Sequence, residues 1–185
     1  VPAAVATARA EAFTFGDPIP MLDQRELLDF LSSAFNGKYY DPPVSFDGLA
    51  KSLRSNPHHS SAIYFKRNVL AASFKPNKYM SRDTFSALAL DYLVFGNSYI
   101  EEIDNRFGSA VRFDRSPAKY TRKGKERKFF FLQDYLDEYE FSNNVFHIME
   151  HDINQEIYGL PEYLSGLNSA WLSESATLFR RKYYL

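Results

Sequence analysis

Ser81–Phe113 reads SRDTFSALALDYLVFGNSYIEEIDNRFGSAVRF, and the fold class turns on what happens at Gly96. Before that glycine, Ser81 stands where a helix N-cap is wanted. Phe85, Leu88, Ala89, Tyr92 and Leu93 then recur at helical spacing and predict a buried face. A glycine directly after such a pattern is a helix stop, because it adopts the left-handed backbone without a Cβ clash. Beyond it, Ser98–Ile103 and Ala110–Phe113 are short β-prone runs flanking Asn105-Arg106-Phe107-Gly108, a loop that suits a hairpin. A helix that stops and gives way to an antiparallel pair predicts an α+β fold.

Working upstream, Ser60 or Ser61 can cap a helix running to about Phe74, with Pro76 beyond it. Its stripe of Ile63, Leu70 and Phe74, widened by Phe65, Val69 and Ala72, is expected to be buried, and Asn56-Pro57 reads as a break before it. Phe46–Leu53 forms a shorter helix after the Pro-Pro connector of Tyr39–Ser45. Asp23 and Glu26 resemble a capping box ahead of Leu27, Leu28, Leu31 and Phe35, with Gly37 at the stop. Residues 1–22, rich in alanine and then proline, are expected to be an arm, and 23–185 the core.

Downstream, Phe129–Leu132 reads as a further strand of a small, mainly antiparallel sheet. Gly159-Leu160-Pro161 begins a long C-terminal helix carried by Leu164, Leu167, Trp171 and Leu178 towards Tyr184. At about 1.5 Å per residue it spans roughly 36 Å. Leu185 falls within that pattern with no stop signal, so a continuation is expected.

The chain has 185 residues, 45% of them hydrophobic, enough for a real core. No apolar run approaches the roughly 20 residues of a membrane span, and no membrane partner is expected. With no cysteine there are no disulfides, thiolate metal sites or cysteine nucleophiles. The net charge of -1 lacks the basic excess of tight non-specific DNA binders. Aromatic content is high at 17%, which suits packed cores and subunit interfaces alike.

Charge is nevertheless clustered. Five of the seven residues from Arg122 to Lys128 are basic, and Lys119, Arg122, Lys123, Lys125, Arg127 and Lys128 are the candidate contacts to DNA phosphate or to an acidic docking surface. Arg180-Arg181-Lys182 complements a helix C-terminal dipole. His147-Ile-Met-Glu150-His151 matches the H-x-x-E-H pattern of inverted zinc proteases. On a helix its two histidines share a face and Glu150 can activate a metal-bound water; on a strand the two histidines are too far apart. The flanking residues suit a strand equally well, and ordinary polar packing is preferred. His58-His59 diverge on either element and read as helix-entry residues. No phosphate loop, dinucleotide fingerprint or nucleophile elbow occurs, and no cofactor is expected.

Several segments, in this order along the chain, carry a family resemblance: Phe13–Pro18, Pro42–Lys51, His58–Ser61, Leu93–Asn97, Ser116–Arg122, Asp152–Gln155, Tyr158–Ser165, Leu167–Leu172 and Glu174–Tyr184. Through them the chain resembles portal proteins of tailed phages, in the branch found in temperate contractile-tailed phages and related prophages. The resemblance implies a dodecameric, ring-forming subunit at one capsid vertex, with wing, stem and clip regions around a channel for double-stranded DNA. It implies assembly in the host cytoplasm, residence in the virion, and no enzymatic activity. Partners so implied are the large terminase subunit, capsid or scaffold protein, and head-completion or neck proteins. Family members extend past this point with further helical regions. A zinc-dependent hydrolase using His147, Glu150 and His151, and a monomeric DNA-binding adaptor using Lys119–Lys128, are the two alternatives.

Overall fold

The computed structural model describes residues 33–54, 57–132, 137–153 and 155–166, with 169, 172–173, 175–176, 179–180 and 183 in the C-terminal stretch. The expected arm and most of the first helix lie outside these residues. The end of that helix is corrected: Phe35 pairs with Tyr40 in an isolated bridge. Asn36 Oδ1 accepts from the amides of Lys38 and Tyr39, and Gly37 takes φ 100°, so these residues form a tight turn.

Three helices follow. α1 is Phe46–Ser52, with Ser45 Oγ accepting from Gly48 N at 3.3 Å. α2 is Pro57–Ser73, and it starts earlier than Ser60. Pro57 opens the helix where a break was expected, because in a first turn the missing N–H has no partner to lose. α3 is Arg82–Phe95, capped by Ser81 Oγ on Thr84 N at 3.1 Å and closed by Gly96 at φ 67°. The α2–α3 hairpin is braced by Phe74 and Phe85, whose rings stack 4.2 Å apart.

The strands form two three-stranded antiparallel sheets where a single small one was expected. In the first, β1 (Asn97–Asp104) lies between β2 (Ala110–Ser116) and β6 (Val145–Met149). Asn105 Oδ1 accepts from the amides of Phe107 and Ser109 to shape the β1–β2 loop, and Gly108 takes φ 73° there. In the second, β4 (Phe129–Leu132) lies between β3 (Thr121–Lys123) and β5 (Glu138–Glu140). The expected C-terminal helix opens as a 3-10 turn over Glu162–Gly166. The described residues beyond it are helical, and its full run lies outside them.

The core joins all these elements. Phe46 and Leu49 of α1 and Leu53 at its C-cap pack with Ile63, Val94, Phe95, Tyr99, Phe129 and Tyr158. Phe46 meets Phe95 at 5.4 Å and Tyr158 edge-on at 5.9 Å. Leu88, Ala89, Val94 and Phe95 of α3 are buried. The predicted face omitted Val94 and Phe95, because α3 is covered both by the other helices and by the sheet. Asp91, also buried, accepts from Arg115 at 2.7 Å through both oxygens and so ties α3 to β2. The stripe expected to be buried on α2 is instead mostly exposed: Ile63 is 5% exposed, but Phe65 is 70%, Val69 52% and Leu70 39%.

One junction fixes the arrangement. Asn97, fully buried, donates to Phe95 O at 2.7 Å and Gly159 O at 2.8 Å. Its Oδ1 accepts from Gly159 N at 2.8 Å and from His147 Nε2 at 2.9 Å. Both amide protons and both lone pairs are used. Glu150 N donates to Gly96 O at 2.7 Å alongside. A Cβ on Gly159 would meet Gly96 O at 2.3 Å, and one on Gly96 would meet Leu160 C at 2.5 Å, so backbone lies directly on backbone. Gly159→Ala is therefore expected to cost about 3 kcal/mol or more, as an overpacked site that cannot relax. Gly96→Val adds left-handed strain to the same clash. Urea unfolding checks both, and wild-type midpoints would show that the junction can give way.

Candidate nucleic-acid interface

The basic candidates divide into two groups. Lys119 and Arg122 are spent internally. Lys119 Nζ pairs with Asp47 of α1 at 2.8 Å. Arg122 donates to Lys119 O and Thr121 O at 2.9 and 3.0 Å, and its guanidinium lies 5.1 Å above the Phe46 ring. Both residues hold α1 to the second sheet. Lys123 is partly buried, its amide donates to Tyr158 Oη at 2.9 Å, and burial lowers its ammonium pKa.

Lys125, Arg127 and Lys128 are exposed at the β3–β4 turn. Lys128 N donates to Lys125 O at 3.0 Å, and Glu126 and Arg127 take φ 53° and 62°. Two successive left-handed residues make the type I′ turn that matches strand twist, normally built from Asn and Gly. Here it carries Glu and Arg, at a cost of order 1 kcal/mol each. Gly124 is buried below the tip, where a Cβ would meet the Phe130 ring at 2.7 Å.

Around this tip, charge is partly balanced. Lys128 pairs with Glu140 at 2.9 Å, and Lys38 pairs with Glu138. Lys125 Nζ lies 4.1 Å above the Phe35 ring. Lys38 belongs to this surface, since Tyr39 bridges Gly124 across the chain. Nothing local in the sequence marks it, and only the long-range bridge brings it near.

The histidine motif takes a different form from the helical one. His147 lies within β6, its ring stacked on Tyr99 at 4.5 Å, and its Nε2 is committed to Asn97 Oδ1. Because Asn97 must turn its amide nitrogen to two carbonyls, it presents oxygen to His147, which therefore carries its proton on Nε2. His151 is exposed past the strand end, and Glu150 accepts from the Tyr92 hydroxyl. No shared helical face exists for the zinc arrangement. Among the described residues no group of three or more His, Cys, Asp or Glu is placed to hold a metal. His58 and His59 fall in the first turn of α2, and His59 packs edge-on to Tyr163 at 4.4 Å.

Burial, aided by the Lys123 charge, lowers the His147 pKa to about 3. The folded pKa lies below the unfolded value near 6.5, so the native state resists protonation. Stability is therefore complete above pH about 6.5 and falls by up to about 1.4 kcal/mol per pH unit towards pH 3. His147→Gln, which keeps a donor for Asn97, should flatten this acid arm in urea titrations at pH 7, 5 and 4. An unchanged pH slope in that variant would assign acid sensitivity to other groups.

No family model matches the chain. Two curated relatives do, each named "Probable portal protein": one from Escherichia phage P2, 55% identical over 178 residues, and one from Haemophilus phage HP1, 31% identical over 166. The alignments cover 95% and 85% of this chain but 52% and 48% of the relatives, so the chain spans about half their length. In fold it is similar to chains in a virion of a native gene transfer agent particle and in a neck of the empty particle computed with C6 symmetry. The TM-scores are 0.69 and 0.70 at 16% and 13% identity, covering 86% of this chain in both cases and 49% and 51% of those chains. Matched in sequence along most of its length to two relatives named probable portal protein, the chain belongs to the phage portal protein family.

Proposed function

We propose that this chain is part of a portal subunit that forms a dodecameric ring at a capsid vertex. The ring is the channel through which double-stranded DNA is packaged and ejected. The observation that carries the reading is the 55% identity over 178 residues to the portal protein of phage P2. Support for a ring comes from a neck of the native gene transfer agent particle, computed with C12 symmetry, in which a chain of the same fold occurs at a TM-score of 0.69. The role is mechanical rather than enzymatic, and no cofactor is assigned. Its partners are other copies, the large terminase subunit, capsid or scaffold protein, and head-completion or neck proteins. The assembled ring is a virion component, put together in the host cytoplasm.

The β3–β4 tip is the surface we assign to DNA or to the terminase, the packaging motor. Arg127 and Lys125 lead it, with Lys128 and Lys38 held back by Glu140 and Glu138. Lys119 and Arg122 contribute indirectly by holding α1 beneath it, and Lys123 supports the hairpin base. A sparse positive tip attracts phosphate without releasing enough counterions to trap it, which suits a polymer that must slide. The monomeric adaptor reading loses ground on the same geometry, since half of its basic residues are committed internally.

Lys125→Glu with Arg127→Glu should leave the ring assembled, because both side chains are exposed at a turn, while lowering DNA packaging on the order of tenfold through repulsion. Electron microscopy of rings and a packaging assay with terminase, run in parallel on full-length protein, check this. Normal packaging would reduce the tip to solvation, and lost rings would place it between subunits.

A further inference from the structure

α2 is a 17-residue helix, and Ile63 is the one side chain buried among its described residues. On the side away from Ile63 runs a second apolar row of Ala62, Phe65, Val69 and Ala72, spaced by three, four and three residues. That repeat keeps side chains in line along a helix and belongs to seams that meet another surface. Phe65 at 70% and Val69 at 52% exposed are more open than Leu70 on the inner side at 39%. Exposed aromatic and branched residues in a continuous row mark a contact rather than scattered surface.

Charge says what kind of contact. Pro57–Arg82 holds five basic residues, Lys66, Arg67, Lys75, Lys78 and Arg82, and no acid, while the remainder has 17 basic against 23 acidic residues. The arm is cationic and the body anionic. Two arms meeting face to face would repel, so a symmetric α2–α2 pair is disfavoured. An arm against the body of another copy is attractive, and two unlike patches make a head-to-tail contact that closes a ring when the rotation fits.

The body offers a matching face. Pairing of Ser98 with Ile148, Ile100 with Phe146 and Glu102 with Phe113 puts Phe146 and Ile148 in one face of the first sheet. Phe146 and Ile148 are 50% and 48% exposed, with Glu102 in the same face and Asp104 at the strand end.

We propose that α2 of each copy lays its Ala62-Phe65-Val69-Ala72 row on the Phe146 and Ile148 face of the next copy, with the basic α2 segment against Glu102 and Asp104. This contact rests on the ring reading above and names the surfaces that would build it. A duplex is the lesser fit for α2, since the most exposed residues of the row are apolar.

The test uses full-length protein with the photo-crosslinking residue p-benzoylphenylalanine in place of Phe65. Irradiation should give covalent dimers and higher multimers, with cross-linked peptides from 110–116 or 145–149. Products confined to one chain, or cross-links to added duplex DNA, would overturn the proposal. In parallel, Phe65→Asp with Val69→Asp should cut the ring population in native mass spectra at least tenfold, with a melting temperature close to wild type because both residues are exposed. A wild type that forms no ring defeats the portal-ring reading itself. A wild-type ring that the double variant forms equally well defeats this contact alone.

Discussion

Asn97 is the group on which the rest of the structure depends. A buried amide left with one unmade hydrogen bond is expensive, and here all four are made, to Phe95, twice to Gly159, and to His147. Those partners come from α3, from the segment entering the C-terminal stretch, and from β6. One side chain therefore fixes the distances between three parts of the chain that are up to 62 residues apart. The two glycines beside it follow from this demand, because carbonyl and amide can approach so closely only where no Cβ intervenes.

Around that junction the charged groups divide by task. Asp91 with Arg115 binds α3 to β2 through a buried carboxylate, and Lys119 with Asp47 forms a surface ion pair on α1. Lys125 and Arg127 stand clear on a strained turn. The same residue types thus serve packing in one place and a surface in another.

What could be read directly from sequence was local. α3 declared itself through Ser81 and Gly96, both of which cap it as expected. The β1–β2 hairpin followed from Asn105 and Gly108, and β4 from its phenylalanines. β5 was missed because Glu-Tyr-Glu carries no strand signal alone and owes its conformation to pairing with β4. The early start of α2 was missed because proline before a helix and proline inside its first turn look alike in sequence. The burial expected along α2 failed for a different reason: periodicity shows that a face wants a partner, not whether that partner lies in the same chain. For the basic segment, sequence showed clustering but not commitment. Lys119 and Arg122 are engaged because Asp47 and Phe46 happen to be folded against them, and Lys38 joins from far away.

The passage from α3 into β1 takes a single residue, Gly96, whose backbone is hemmed in by Leu160 and Glu150. Most helix-to-strand connections contain a few loop residues that absorb a change of angle. With none here, the α2–α3 arm and the first sheet behave as one lever: a load that tilts the arm must twist the strand that continues it. In a ring, that stiffness would carry displacement at one subunit boundary across the subunit to the next instead of dissipating it in a hinge.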